Sequence, residues 1–174
     1  MFFLFATRVE AMSSLCEVIE IERKGLGCIA TTDIKKGALI LAEKPQLSVN
    51  SAETILSKKW IQSLQKSFNE MSVNDKLDFL TLHNQFKTYQ PEEDIKSETF
   101  SGLKIIQLEI DKIEEGPARK RAQTIFKVCC IFFTNMWPAT SVHIPVYLKA
   151  SRFNHSCQPN AQATEVSGKY FSSR

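Results

Sequence analysis

The sequence lacks the features that mark fibrous, membrane-spanning and nucleic-acid-binding proteins. Its 174 residues include only 6 glycines and 6 prolines, too few for a collagen-like chain. No apolar run approaches the roughly 18 residues of a membrane span, and no sustained heptad predicts a coiled coil. The net charge of +3 is too small to indicate a direct nucleic-acid partner. With 43% hydrophobic residues, the composition is that of an ordinary globular protein. The length of the chain suits one domain.

Cysteine is present but not in the patterns of disulfide or zinc proteins. The 5 cysteines are odd in number and contain no Cys-x-x-Cys pair. We therefore predict no disulfide framework, no metal site, and an intracellular location in the nucleus or the cytoplasm. Cys129 and Cys130 lie in an apolar helical stretch, where we expect them to behave as small hydrophobic residues.

The N-terminus is apolar only briefly. Met1–Ala6 is cut short by the charged residues Arg8 and Glu10, and no basic segment precedes it. A secretory signal would need a basic region and then about 7–15 apolar residues. We expect residues 1–15 to be an N-terminal extension, and Met12 is an equally good start.

Both ends of the chain predict strands. Glu17–Glu22 alternates with the two-residue period of a strand, Lys24–Gly27 interrupts it, and Cys28–Ala30 resumes it. After a turn at Asp33–Gly37, Ala38–Glu43 is a further strand, and we expect these strands to form a small meander.

The chain becomes extended again at Val146–Leu148 and from Ala161 to Phe171. We therefore expect the strands of the two ends to pair with each other around whatever separates them.

Between about residues 51 and 135 the apolar period is helical. Leu56, Trp60, Ile61, Leu64 and Phe68 share one face of a first predicted helix. Ser72 or Asn74 caps a second helix that reaches Phe86, and Tyr89–Thr99 is expected to be a loop. Leu103–Ile113 predicts a third helix, and Pro117 opens a fourth. Arg119–Arg121 could contact a substrate or a nucleic acid, but three charges favour a solvated face.

The most informative stretch is Phe153–Asn160, which reads Phe-Asn-His-Ser-Cys-Gln-Pro-Asn. Its polar side chains offer hydrogen-bond donors and acceptors for the edge of a heteroaromatic ligand. From composition alone, a buried polar turn is the favoured interpretation, because Asn and His often satisfy turn backbone.

This stretch resembles the Asn-His-Ser-Cys-x-Pro-Asn motif of the SET-domain protein-lysine methyltransferases. Lys24–Gly27, with Asp33–Gly37 and Glu43–Pro45, resembles the N-terminal segment of that family and its Gly-x-Gly loop. The helical insert at about 51–135 resembles the SET-and-MYND subgroup, although no MYND zinc cluster is present. The resemblance implies an α+β, SET-type fold of small β-sheets with a large helical insert, within a partial SET domain at 16–174.

The resemblance also implies a function and a site. S-adenosylmethionine would be the cofactor and a protein lysine, in a histone or another protein, the substrate; neither a nucleic acid nor a membrane is expected as a partner. Lys24, Gly25, Leu26 and Gly27 would contact the methionine end of the cofactor through backbone groups. Asn154 and His155 would contact its amine and its adenine. Tyr147 is the candidate for an aromatic hydroxyl in the lysine channel, or else a core tyrosine.

Some positions depart from the family pattern. The sequence ends at Arg174, before the segment that carries the tyrosine usually treated as catalytic, so we expect a fold incomplete at its C-terminus. Family members often place a cofactor-contacting Asn on the helix before the motif, where Cys130 falls here and Asn135 is the nearest Asn. The alternative is therefore an inactive SET fragment or isoform that acts as a protein-interaction module. A helical scaffold built on residues 51–135 is a third possibility, supported only by amphipathic periodicity.

Overall fold

A computed structural model of the chain describes residues 15–22, 24–87, 98–138, 142–165 and 169–173. The described residues belong to two compact units. One contains those up to Pro45 and from Tyr147 onward, and we call it the strand unit. The other lies within Gln46–Val146, and we call it the helical unit. The predicted N-terminal extension, apart from residue 15, lies outside the described residues.

The strand unit begins with a hairpin. β1 (Cys16–Ile21) and β2 (Gly25–Ala30) are antiparallel, and their register places Ile19 opposite Gly27. The glycine segment that the sequence presented as an interruption is therefore the first half of β2. A glycine still has the N–H and C=O groups that a strand ladder needs, so loss of side-chain alternation does not end the pairing.

Among the other strands of this unit, one from the first part of the chain pairs with one from the last part. β3 (Leu39–Glu43) is antiparallel to β7 (Lys169–Ser173), which also pairs with β6 (Ala161–Glu165). The expected meander is wrong, because β3 pairs with β7 and not with β2. The link between β2 and β3 is longer than a hairpin turn and includes Gly37, which has a φ of +83°. The expected pairing of the two ends around the insert is confirmed.

The helical unit combines a short strand pair with four helices. β4 (Leu47–Asn50) is antiparallel to β5 (His143–Val146). β4 was missed, because four residues are too few to establish a period. The helices are α1 (Lys58–Glu70), α2 (Val73–Leu80), α3 (Glu98–Asp111) and α4 (Pro117–Asn135). No helix among the described residues has both the length and the apolar character needed to cross a membrane.

Local signals fix where these helices begin. The Ser72 hydroxyl accepts a hydrogen bond from the Asp75 N–H at 3.1 Å, which identifies Ser72, not Asn74, as the cap of α2. Pro117 occupies the first turn of α4, as predicted. Phe86 lies beyond α2, in the 3₁₀ turn Gln85–Lys87. Most of the loop expected at 89–99 lies outside the described residues.

An aromatic cluster forms the core of the helical unit. Trp60 is fully buried, 5.2 Å from the Phe133 ring, which it stacks on, and 5.4 Å from the Phe132 ring, which it meets edge-on. Leu64 is buried on the same face of α1, as the helical period predicted. Cys129 and Cys130 are also buried, and burial raises the pKa of the Cys129 thiol to about 12. They are small core residues, as expected.

Candidate cofactor site

Two distant sequence motifs meet in the strand unit. Gly27 is buried within β2, and a Cβ atom at this position would overlap the Nδ2 atom of Asn154. The same Cβ would lie 2.5 Å from Cδ1 of Ile21 and 3.3 Å from Cγ of Asn154. Only glycine lets the Asn154 amide approach the strand so closely. The structure therefore brings together two of the residues that the sequence proposed for one site.

The rest of the glycine segment is open to solvent. Lys24, Gly25 and Leu26 are exposed, and the Lys24 N–H donates to the Ile21 carbonyl at 2.9 Å to close the hairpin turn. Gly25 has a φ of +71°, in the left-handed region that favours glycine. All three residues expose their backbone on the hairpin that carries Gly27, and Lys24 and Leu26 also expose their side chains.

The polar motif is exposed over its whole length. Every residue from Asn154 to Asn160 is exposed, so the interpretation as a buried polar turn is wrong. Within the motif, Nε2 of His155 lies 3.7 Å from Sγ of Cys157, and the Gln158 N–H donates to the Ser156 hydroxyl at 3.2 Å. The donors and acceptors of Asn154 and His155 therefore remain accessible from solution.

A buried carboxylate holds the backbone that leads into this motif. Glu43, at the end of β3, is only 8% exposed. Its Oε1 accepts from the Lys149 N–H at 2.9 Å, and its Oε2 accepts from the Ala150 N–H at 2.8 Å. Burial raises the pKa of the Glu43 carboxyl, and the hydrogen bonds from these two backbone groups oppose that rise.

The sequence contains a signal for the burial of Glu43. Glu43 follows Leu41 by two residues in β3, so both side chains lie on one face of the strand, and Leu41 is 2% exposed. An acid at the same parity as a core residue is expected to be buried and to need hydrogen-bond partners. Its partners could not be identified from the sequence, because they lie in a distant segment.

Tyr147 lies just before the turn that Glu43 binds. It is fully buried, and its carbonyl accepts from the Ser151 N–H at 3.2 Å. Burial agrees with the interpretation as a core tyrosine. Its part in a lysine channel stays a prediction.

The strand unit contains a cavity of about 360 Å³. Its lining includes Cys28 and Ile29 of β2 together with Phe153 and Asn160. Gly27, Asn154 and His155 are not among its lining residues. The cavity therefore borders the predicted cofactor contacts and does not contain them.

The helix before the motif carries Cys130 and Asn135, the two residues near the position where family members often place a cofactor-contacting Asn. Asn135 donates to the His83 carbonyl at 2.7 Å and to the Ile131 carbonyl at 2.8 Å, so both amide hydrogens are used in fastening the end of α4. Cys130 is buried, and burial raises its pKa to about 11. Both residues have structural roles within the helical unit.

One member of the basic run outside this site is explained by local contacts. Arg119 forms ion pairs with Asp111 at 3.4 Å and with Glu115 at 3.2 Å, so this member of the basic run belongs to the helical surface. In the described part of the chain, no group of three or more His, Cys, Asp or Glu side chains could hold a metal ion.

A comparison with protein families agrees with this arrangement. The model described as "SET domain" matches residues 25–173, a span that includes the glycine strand, the helical unit and the polar motif. Small antiparallel sheets combined with four helices in the described residues agree with an α+β fold of that type. No curated protein matches the chain.

Proposed function

The chain belongs to the SET-domain family, and on that premise we propose that it transfers a methyl group from S-adenosylmethionine to a lysine side chain of a protein substrate. SET domains are in general protein-lysine methyltransferases that use this cofactor. The observation that carries the proposal for this chain is the direct contact between Gly27 and Asn154. It joins the two segments whose residues resemble the two halves of the family's cofactor site.

The residues present fit such a cofactor. The close approach at Gly27 leaves no room for a side chain, so ligand contacts on this strand would use backbone groups, which suit the amine and carboxylate of a methionine moiety. Asn154 and His155 are exposed and carry both donors and acceptors, as the amine and the adenine edge require. We propose that Lys24–Gly27, Asn154 and His155 bind it.

The chemistry asks mainly for positioning. Held by Lys24–Gly27, Asn154 and His155, S-adenosylmethionine would supply an electrophilic methyl carbon on a sulfonium sulfur. A neutral lysine amine would take this methyl group and release a proton, and the sulfur would keep the electron pair of the broken carbon–sulfur bond. The chain's own residues would orient the two partners and exclude water. We propose that the Tyr147 hydroxyl lines the lysine channel. A Tyr147→Phe variant should then lose methyl transfer while it retains cofactor affinity.

Several finer assignments belong to the same proposal. In the described residues, four helices lie between the strands of the first and last parts of the chain, which supports the SET-and-MYND subgroup. We propose an intracellular setting, in the nucleus or the cytoplasm, and the five free thiols are in keeping with it. Histone and other protein lysines are both candidate substrates.

Calorimetric titration of the purified chain with S-adenosylmethionine tests the proposal. We expect saturable binding near micromolar affinity, about −8 kcal/mol. Asn154→Ala should weaken binding at least about tenfold, because the side-chain amide is removed. Gln158→Ala is the matched control: it changes an exposed amide in the same loop and should bind normally. A folded wild-type chain that binds no cofactor would overturn the proposal.

One feature of the helical unit favours a second candidate, a protein-interaction module. A cavity of about 370 Å³ is lined by the apolar side chains of Phe68, Ile125 and Val128 and also by Lys120 and Arg121. Apolar walls beside two cations suit an acidic peptide that also carries aliphatic side chains. A synthetic peptide that alternates Glu and Leu should bind the wild type but not the Lys120→Glu/Arg121→Glu variant, and equal binding would exclude this candidate.

A further inference from the structure

The turn before the polar motif has a cap that comes from another part of the chain. Residues Ala150–Arg152 form a 3₁₀ turn, and the side chain of Lys149, which precedes it, makes no capping hydrogen bond. The backbone N–H groups at the start of such a turn need acceptors. The two carboxylate oxygens of Glu43 supply them, at 2.9 Å for Lys149 and 2.8 Å for Ala150. Glu43 therefore performs the function of an N-cap side chain from strand β3.

The capped turn leads directly to the cofactor contact. The Phe153 N–H donates to the Ala150 carbonyl at 3.1 Å and closes the turn, and Asn154 is the next residue. The amide of Asn154 then occupies the space beside Gly27 that a Cβ would need. Only a few residues separate the carboxylate's anchor point from this contact, so a shift at Ala150 is passed on to the Asn154 amide.

From this path we propose that Glu43 is a positioning residue of the cofactor site: it fixes the start of the 3₁₀ turn and thereby sets the Asn154 amide against Gly27. The inference rests on the proposed function, because it names the cofactor as what the positioned amide binds. Glu43 itself need not touch the cofactor.

The choice of a carboxylate supports a positioning role. Removing a charged group from water is costly, and a well-packed apolar side chain is often at least as stabilising at a buried position. A carboxylate, however, has two acceptor oxygens in a fixed fork, and here they take the N–H groups of two consecutive residues. Such a fork constrains the direction of the backbone as well as its distance.

Two Glu43 variants and one control separate positioning from simple stabilisation. Glu43→Gln has nearly the same shape but keeps only one acceptor oxygen, and Glu43→Ala removes both. Leu41→Ala is the matched control, since Leu41 is buried two residues away in the same strand and its side chain cannot bond the turn. Cofactor affinity and melting temperature would be measured for each full chain, at a temperature where all are folded.

We expect cofactor affinity to fall about tenfold in Glu43→Gln and about a hundredfold in Glu43→Ala, one factor for each lost backbone hydrogen bond. Leu41→Ala should lower the melting temperature and leave the affinity within about twofold of wild type, because its cost is a core cavity. Normal affinity in Glu43→Gln, or an equal loss of affinity in Leu41→Ala, would overturn the proposal.

Hydrogen exchange tests the role of Glu43 in the absence of the cofactor. A failure of this role can therefore be distinguished from a failure of the proposed function. In Glu43→Gln, amide exchange should accelerate in the peptide that spans residues 147–156 and stay near wild type in β2. If the wild-type chain binds no cofactor and this acceleration is seen, the proposed function fails and the role of Glu43 in placing the turn stands. Unchanged exchange in that peptide would refute the role of Glu43 whether or not the chain binds the cofactor.

Discussion

Buried polar side chains serve different purposes in the two units of the molecule. In the helical unit, Asn135 is 9% exposed and donates to carbonyls of its own helix and of the neighbouring His83. In the strand unit, Glu43 is 8% exposed and accepts from a turn that leads into an exposed polar segment. The first arrangement closes off a core. The second uses a buried group to hold side chains that face solvent, which is how a rigid scaffold supports a binding site.

The largest expected effect concerns the aromatic core of the helical unit. Replacing Trp60 by Ala removes the ring that contacts Phe132 and Phe133, and should lower the free energy of unfolding by about 3–5 kcal/mol. Urea unfolding followed by circular dichroism measures it. Trp60→Phe should cost less, because it keeps an aromatic ring and removes a buried Nε1–H that has no partner among the described residues.

The Trp60 variant also tests whether the units differ as described. Amide exchange should accelerate in α1 and α4 and much less in the β1–β2 hairpin, since Trp60 belongs to the helical unit. Equal acceleration in both units would mean that they unfold together. The core of the helical unit and the site in the strand unit would then not differ in stability.

A smaller effect is expected at the contact between the two motifs. Gly27→Ala places a methyl group where the Asn154 amide and the Ile21 side chain lie, and should cost about 1–3 kcal/mol of stability. Cofactor affinity should fall more than about tenfold, because the amide must move.

Gly37→Ala provides the control for that variant. Gly37 has a φ of +83° with no atom near a Cβ, so alanine there meets backbone strain without a clash. It should cost about 1 kcal/mol and leave cofactor affinity unchanged. If both variants lose affinity equally, the Gly27–Asn154 contact has no special part in binding.

The pH dependence of stability should report on Glu43. Burial raises its pKa in the folded state above the ordinary value of 4.5, so the folded chain binds this proton more tightly than the unfolded chain does. Its contribution is fully present below about 4.5 and is lost as pH rises through the folded-state pKa. Urea unfolding from about pH 4 to about pH 8 should show this decline in the wild type and a shallower one in Glu43→Gln. Parallel curves would show that Glu43 titrates normally.

The smallest expected effect is in thiol reactivity, and it involves no change in stability. Burial, with a further contribution from Cys130, raises the pKa of Cys129 to about 12, so almost no reactive thiolate forms near neutral pH. Iodoacetamide should modify the exposed Cys157 of the native chain before Cys129 and Cys130, which should react only after unfolding. Mass spectrometry of the labelled peptides decides the order, and early labelling of Cys129 would contradict the burial described for α4.

Sequence reasoning was most successful where the signal is local. The helical period around Trp60 and Leu64, Pro117 at the start of α4 and the small-residue role of Cys129 all depend on neighbours within a few turns of one helix. Partners of strands were harder to predict. The expected meander failed because hydrogen bonding between β3 and β7 depends on residues more than a hundred positions apart, which no local pattern records.

In the candidate site, too, some features follow from the local sequence and others only from the tertiary structure. The residue types that suit the cofactor, in Lys24–Gly27 and in Phe153–Asn160, could be read from the sequence because the motif is long and specific. The sequence by itself therefore determined the helical stretches around Trp60 and Leu64, the start of α4 at Pro117 and the chemistry offered by the two motifs. Only the tertiary structure decided that Gly27 meets Asn154, that the polar motif is exposed, and that Glu43 holds the turn. The reason is physical: helices and caps satisfy their own backbone locally, whereas close approach and burial are properties of segments that folding alone brings together.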